Sequence, residues 1–189
     1  MTVGLFGGSF DPPHAGHLLV AETAIRRLGL DQLWWMVTPQ NPLKTERRSG
    51  DLLRRAELSR AVARHPRIRV TAFEAGHGIR YSADTIALVQ RRYPATRFVW
   101  IMGADNLRSF HRWQRWRQIM HAIPIAVVDR PGSTLSLLSS VMTRAYARAR
   151  IDEDDALCLA QARPPAWCFL FGPRMAISST AIRSQGMPS

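Results

Sequence analysis

Short runs of β-branched and aromatic residues alternate along this chain with longer stretches whose apolar residues recur at a helical period. A parallel sheet requires such alternation, because each strand needs a crossover helix before the next strand can pair beside it. The pattern therefore predicts an α/β fold with a doubly wound parallel sheet. A chain of 189 residues can fill one core and is short for two, so we expect a single domain over residues 1–189.

The expected elements follow from these periods and from the local helix-capping and helix-breaking residues. The predicted strands cover residues 3–8, 33–38, 68–73, 97–103, 123–130 and 168–172. The predicted helices cover residues 17–28, 51–64, 82–92, 112–121 and 135–149. Gly29 should end the first helix, and Ser82 occupies the expected N-cap of the third. Long loops are expected at residues 39–50 and 152–165.

Composition narrows the class of protein. Apolar residues make up 46% of the chain, but no apolar run approaches the roughly 18 residues of a membrane helix, and the N-terminus has no signal-peptide pattern. The two cysteines fit neither a zinc site nor a disulfide scaffold, so we expect reduced thiols and a cytoplasmic protein. A formal net charge of +12 favours a polyanionic partner, which includes both nucleotides and nucleic acids.

The segment 7–17 follows the first predicted strand and has the composition of a phosphate site. Gly7 and Gly8 let a phosphate approach the backbone, and Gly16 lies where the N–H groups of the next helix attract an anion. If that helix begins near Ala15, His14 and His17 can face one point and donate to phosphate oxygens. The alternative is a proline-rich turn with two surface histidines, which would not require the glycines.

The sequence of this segment, GGSFDPPHAGH, resembles the signature of the H-x-G-H nucleotidyltransferase superfamily and is most similar to that of the bacterial nicotinate-nucleotide adenylyltransferases. No P-loop and no dinucleotide-binding fingerprint is present in the sequence. The resemblance implies a Rossmann-like fold and catalytic roles for His14 and His17. It also implies ATP contacts from five other signature residues, which are Gly7, Gly8, Ser9, Phe10 and Gly16.

A second signature stands near the C-terminus, where residues 177–183 read ISSTAIR. Hydroxyls at a helix N-terminus and an arginine one turn later can hold phosphate oxygens, although an ordinary capped helix has the same features. The segment is similar to the family motif that binds the ATP triphosphate. That resemblance gives ATP-binding roles to Ser178, Ser179 and Thr180 and a catalytic role to Arg183. Lys44, in the loop after the second strand, would assist the triphosphate by the same resemblance.

The segment after the fourth strand offers groups for a nucleoside. Gly103 exposes bare backbone, Asp105 carries a carboxylate suited to ribose hydroxyls, and either Trp113 or Trp116 could stack on a flat ring. Tryptophans at this spacing are as often core residues. In the family, the stretch that corresponds to Gly103 and Asp105 binds the adenosine ribose, and the first tryptophan, here Trp113, stacks on nicotinate.

The resemblance also places residues around the second substrate. Pyridine-nucleotide contacts are implied for Thr38, Arg47, Tyr81 and Thr85. We give Arg130 a phosphate-facing role from its position in a segment that matches the family after the fifth strand. Only six residues follow Arg183, whereas many relatives have a further helix there. Any contact or oligomer surface made by that helix is therefore in doubt.

Together with these residues, the resemblance implies an enzyme that transfers AMP from ATP to nicotinate mononucleotide, giving deamido-NAD and pyrophosphate in NAD biosynthesis. We expect Mg²⁺ held mainly by substrate phosphates and assign no protein ligand to it. The same chemistry on nicotinamide mononucleotide or phosphopantetheine, or on an alcohol phosphate with CTP, stays open. So does a basic nucleic-acid-binding module without activity, because dispersed arginines and six tryptophans could serve backbone contact and stacking. The oligomeric state, including a homo-oligomer, is open as well.

Overall fold

A computed structural model describes residues 1–39, 52–129 and 139–171 of the chain. The strands are β1 (Thr2–Gly8), β2 (Gln32–Val37), β3 (Ile68–Thr71), β4 (Arg97–Gly103), β5 (Ile125–Val128), β6 (Arg150–Ile151) and β7 (Trp167–Leu170). The α-helices are α1 (Ala15–Leu28), α2 (Leu52–Val62), α3 (Phe73–Gly76), α4 (Ser82–Arg92), α5 (Trp116–Ala122) and α6 (Val141–Ala145). Short 3₁₀ helices cover Ala104–Arg108, Phe110–Arg112, Ala147–Ala149 and Glu153–Gln161.

The described strands form one seven-stranded sheet in the order β3-β2-β1-β4-β5-β7-β6. Every pairing in this sheet is parallel. The predicted α/β class and doubly wound parallel sheet are therefore confirmed. The strand order reverses between β1 and β4, and ligands of such sheets bind outside the carboxyl ends of the strands at this reversal.

Alternating side chains along the central strands build two apolar cores, one on each face of the sheet. On β4, Trp100 and Met102 belong to one buried cluster, while Val99 and Ile101 belong to the other. Successive side chains of a strand point to opposite faces, so a strand covered on both sides must be apolar throughout. The helices that bury these faces leave the carboxyl edge of the sheet as the place for a site.

The first helix ends at Leu28 as predicted and begins at Ala15, two residues before the predicted range of 17–28. Its N-cap is His14, whose backbone is extended, so the start near Ala15 that the convergence of the two histidines requires is present. Gly29 ends it in the left-handed conformation at φ 60°, which glycine adopts without steric cost. The Ser82 prediction was wrong, because Tyr81 is the N-cap of α4 and Ser82 is the first helical residue.

Other differences concern short or irregular elements. The helix predicted from residue 112 begins only at Trp116. Its N-cap is Arg115, which has a left-handed backbone conformation. The loop expected at residues 152–165 contains the 3₁₀ helix Glu153–Gln161, and the two-residue strand β6 was not predicted. Within the described part of the helix predicted at 135–149, α6 is followed by a separate 3₁₀ turn. None of these differences alters the sheet near β1 and β4.

Both cysteines are free thiols, Cys158 exposed and Cys168 buried. Burial, assisted by the negative charge of Glu153, raises the pKa of the Cys168 thiol to about 11, so that it is protonated at neutral pH. Among the described residues, no helix is both long and apolar enough to cross a membrane.

Candidate active site

The start of α1 orients two imidazoles by hydrogen bonds to the backbone. His14 accepts a hydrogen bond at Nδ1 from the N–H of Gly16, at 3.1 Å. His17 in turn accepts one at Nδ1 from the N–H of His14, at 3.2 Å. Because Nδ1 is the acceptor in both rings, each neutral ring carries its proton on Nε2. Both histidines therefore present an Nε2–H donor at the N-terminus of a fourteen-residue helix.

Aromatic packing holds the second of these rings in place. The ring of His17 lies edge-on to Phe10, with centroids 5.0 Å apart, and it also contacts Phe6 and Trp35. Phe10 is only 2% exposed and has a left-handed backbone at φ 47°, a conformation that side chains rarely adopt. Strain of this kind persists where the surroundings fix it, and here it turns the Phe10 ring beneath His17. An ATP contact from Phe10 stays a prediction.

A cavity of about 270 Å³ opens beside this segment, at the carboxyl edge of the sheet. Gly7, Gly8 and Ser9 line it from the end of β1, and Thr38 lines it after β2. Tyr81 and Ser82 line it from the start of α4. The predicted ATP and pyridine-nucleotide contacts that are brought together around this one space are Gly7, Gly8, Ser9, Thr38, Tyr81 and Trp113. The other walls come from Glu74, Arg80, Trp100, Asn106, Arg112, Gln114 and Ile119.

The glycines of the signature also serve packing within the protein. A Cβ placed on Gly7 would come 3.1 Å from Cη2 of Trp100, and one on Gly8 would come 3.0 Å from Cζ of Phe10. Both distances are shorter than ordinary carbon contacts. The bare backbone at this strand end therefore admits an aromatic ring on each face of the sheet.

The two candidate stacking tryptophans have different environments. Trp116 is 7% exposed and packs in the core against Phe110 and Tyr146. Trp113 is half-buried and lines the cavity, with its ring perpendicular to that of Trp100 at 6.2 Å. A ring that lies at a cavity wall can offer a face to a flat ligand, whereas a core ring cannot. The structure thus favours Trp113 for the stacking role.

A carboxyl group in the cavity wall was not anticipated from the sequence. Glu74, in α3, is 4% exposed and accepts a hydrogen bond at Oε1 from the hydroxyl of Thr85, at 2.7 Å. Burial raises the pKa of the Glu74 carboxyl above its ordinary value, and the Thr85 hydrogen bond partly opposes that rise. Thr85 is itself fully buried, and the hydrogen bond to Glu74 links its hydroxyl to the cavity wall. A direct pyridine-nucleotide contact from Thr85 stays a prediction.

Two exposed arginines of the cavity wall, Arg80 and Arg112, were also missed. Their positive charge suits a phosphate or carboxylate ligand. Arg112 belongs to the aromatic segment that drew attention to Trp113, but its charge was one among many in a basic chain. No local pattern distinguished either arginine.

The remaining predicted positions lie elsewhere or are not described. Gly103 ends β4 beside Val128 of β5, and Asp105 is exposed in the 3₁₀ turn that follows. Both flank the strand reversal, and their ATP roles stay predictions. The predictions that lie outside the described residues are Lys44, Arg47, Arg130, Ser178, Ser179, Thr180 and Arg183.

Known proteins share the sequence and the fold. The cytidylyltransferase-like family model matches residues 5–185. A "Probable nicotinate-nucleotide adenylyltransferase" of Mesorhizobium japonicum is 65% identical, with 97% of this chain and 94% of that protein aligned. A protein of the same name from Agrobacterium fabrum is 61% identical, with 97% and 98% aligned.

A solved structure, the Plasmodium falciparum nicotinic acid mononucleotide adenylyltransferase complexed with NaAD, has a TM-score of 0.69 at 15% identity. The superposition covers 97% of this chain and 82% of that one, and it establishes a shared fold. The resemblance of the 7–17 segment is confirmed by these findings. The chain belongs to the cytidylyltransferase-like family and, within it, to the bacterial nicotinate-nucleotide adenylyltransferases.

Proposed function

We propose that this protein transfers the adenylyl group of ATP to nicotinate mononucleotide, producing deamido-NAD and pyrophosphate. The observation that carries the proposal is that one segment, residues 7–17, caps α1 with His14 and His17 and lines, at Gly7 and Gly8, the cavity that Trp113 also walls. Relatives that are 58–65% identical over nearly the whole chain have names with this activity. The activity belongs to NAD biosynthesis.

The chemistry needs no protein nucleophile, because the substrate phosphate is one. An oxygen of the nicotinate mononucleotide 5′-phosphate attacks the α-phosphorus of ATP, a P–O bond forms, and the bond to the β-phosphate oxygen breaks. Pyrophosphate leaves with the electron pair of that bond. The protein accelerates this step by aligning the two substrates and by stabilising the charge that develops on the phosphate oxygens.

The histidines supply donors to that charge. Each Nε2–H can donate to a phosphate oxygen, while each Nδ1 is held by a backbone N–H. Fixing both rings in advance avoids the cost of reorienting them as the reaction proceeds. Lys44 and Arg183 are proposed to add positive charge at the triphosphate, as their signatures imply.

The acceptor is proposed to bind along the wall formed by Trp113, Tyr81 and Arg112. The pyridine ring stacks on Trp113, and the positive charges of Arg80 and Arg112 favour a carboxylate over an amide on that ring. Glu74, when ionised, has the opposite preference. The balance of these charges is therefore what decides between nicotinate and nicotinamide mononucleotide.

We also propose a requirement for Mg²⁺. Among the described residues, no group of three His, Cys, Asp or Glu side chains could hold a metal ion. Phosphate oxygens are the ligands that Mg²⁺ prefers, and the ion keeps several waters, so the substrates suit it as the main source of ligands. When bound, the ion neutralises phosphate charge. The basic residues of this chain would add positive charge to the same phosphates.

One assay tests these statements together. Pyrophosphate release is measured with ATP and Mg²⁺ in the presence of nicotinate mononucleotide, nicotinamide mononucleotide or phosphopantetheine, and again with EDTA. We expect release with nicotinate mononucleotide, less with the amide, none with phosphopantetheine, and loss with EDTA. Release that is fastest with another acceptor would overturn the substrate assignment. No release with any acceptor, together with steeply salt-dependent RNA binding, would overturn the activity.

A cytoplasmic location is also proposed, because ATP is the donor and both cysteines are free thiols. Fractionation of cells that express the tagged protein tests this location.

A further inference from the structure

A buried arginine outside every recognised motif lies against the back of the site. Arg55, on α2, is 3% exposed and donates from its guanidinium to three backbone carbonyl oxygens. Nη1 is 2.6 Å from the oxygen of Ser9 and 2.9 Å from that of Thr38, and Nη2 is 3.2 Å from that of Pro39. Ser9 belongs to the loop after β1, and the other two follow β2. A single side chain thus joins the two loops.

These bonds begin where the backbone pairing of the two strands ends. The β1–β2 register runs to Gly8 opposite Val37, and its continuation is the hydrogen bond from the Thr38 N–H to the Gly8 oxygen, at 2.9 Å. Alternate residues of a strand pair with the same neighbour, so the next bond of this ladder would end on the Thr38 oxygen, and that oxygen accepts from Nη1 of Arg55. The guanidinium of Arg55 donates to carbonyls on both strands at this point. It therefore joins the segments after the two strands just beyond that ladder bond.

The chemistry of the group suits this task. A guanidinium has five N–H donors in one rigid plane, so carbonyl oxygens that share it are fixed relative to each other. A buried cation is tolerated only when its donors are satisfied, so displacement of either loop carries a cost. Lysine has three donors on a compact, flexible ammonium and cannot reproduce this geometry.

The two loops contribute different walls of the cavity. Ser9 stands in the segment between β1 and the two histidines, on the proposed ATP side. Thr38 lines the cavity from the loop after β2, on the proposed acceptor side. In-line attack depends on the distance and angle between two bound substrates, and a misplacement of about 1 Å can cost roughly 100-fold in rate.

We propose that Arg55 is a positioning residue that keeps the loop after β1 in register with the loop after β2, so that ATP and its acceptor are aligned for adenylyl transfer. The inference rests on the proposed function, but different measurements would contradict the inference and the function. Activity of the wild-type protein tests the function, whereas comparison of Arg55 variants with an active wild type tests the positioning.

The test uses Arg55→Ala, Arg55→Lys and, as a matched control on the exposed side of the same helix, Arg54→Ala. We measure kcat and KM for both substrates, the thermal midpoint, and rescue by added guanidinium at roughly 10 mM. For Arg55→Ala we expect kcat to fall about 100-fold, with KM values changed less than about tenfold, because alignment rather than affinity is lost. Guanidinium should restore kcat about tenfold in this variant and leave Arg54→Ala unchanged.

Arg55→Lys keeps the charge and most of the volume, so it decides the outcome if Arg55→Ala does not fold. We expect it to fold with kcat reduced at least tenfold. A folded Arg55→Lys or Arg55→Ala protein with kcat within about threefold of the wild type would overturn the proposal. The proposal would also be overturned by a folded Arg55→Ala protein in which only the KM values change, or whose kcat is not restored by guanidinium. Either result indicates a merely structural role.

Discussion

The imidazole rings of His14 and His17 lie with their centroids 3.8 Å apart and their planes tilted by 33°. Each Nδ1 is occupied by a backbone N–H, that of Gly16 for His14 and that of His14 for His17. Cap formation and donor orientation therefore depend on the same rings. Asparagine can separate the two properties, because its Oδ1 can accept the cap hydrogen bond while no atom replaces Nε2.

We predict that His17→Asn lowers kcat by about 100- to 1000-fold, as expected for loss of one donor to a developing charge, and that it keeps the cap hydrogen bond while losing the ring contacts of His17. His17→Ala should lose both the stability of the cap, about 1 kcal/mol, and the activity. Thermal unfolding and pyrophosphate release measure the two effects. An active His17→Asn protein would contradict the role given to Nε2.

The cavity position of Trp113 predicts a selective effect on the acceptor. Trp113→Ala should raise KM for nicotinate mononucleotide by about tenfold or more and leave KM for ATP nearly unchanged, because stacking on a base-sized ring contributes about 1–3 kcal/mol. Trp113→Phe should retain most of the affinity. The control is Trp116→Phe, which should lower the thermal midpoint instead, since Trp116 packs in the core. Equal increases in both KM values would contradict stacking.

The buried carboxyl of Glu74 predicts a pH-dependent stability. Burial raises the pKa of Glu74 in the folded protein above its ordinary value of 4.5, so the folded state binds this proton more tightly than the unfolded state. The resulting stabilisation is complete below the unfolded pKa and is lost as the pH rises through the folded pKa. Relative to Glu74→Gln, the wild type should therefore become less stable from about pH 4 upward.

This prediction is measured by the difference between the thermal midpoints of the wild type and Glu74→Gln at each pH from about 4 upward. The titrations of all other groups are common to both proteins and cancel in that difference. Thr85→Val removes the hydrogen bond that opposes the rise, so it should move the transition to higher pH. A difference that is independent of pH would contradict the shifted carboxyl.

The signature glycine Gly8 should not tolerate a side chain. In Gly8→Ala the three atoms nearest the new Cβ, at 3.0–3.3 Å, all belong to the Phe10 ring. Relief of this contact must displace Phe10, which supports His17. We expect a loss of about 1–3 kcal/mol in the free energy of unfolding and a lower kcat. Gly76→Ala, where no atom lies within 4 Å, should change stability by less than about 0.5 kcal/mol.

Local sequence determined the elements that repeat a clear pattern. The apolar residues of α1 and the glycine after it predict that helix and its C-terminal end, and the continuous apolar runs of β1 and β4 predict buried parallel strands. The paired histidines were found in the same way, because a cap and its helix involve neighbours in the chain. The strand β6 was missed because two residues are too short to establish any period.

Long-range contacts were decided only by the tertiary structure. Arg55 lies 46 residues from Ser9, and Glu74 lies 11 residues from Thr85, so no spacing rule joins either pair. Among 26 basic residues, the sequence could not distinguish a buried arginine from solvated ones. Likewise, the residue type does not distinguish Trp113 from Trp116. Their surroundings do, because Trp116 is buried in the core and Trp113 lines the cavity. The sequence therefore specified the fold class and the phosphate-binding segment, and three-dimensional packing specified which other side chains meet it.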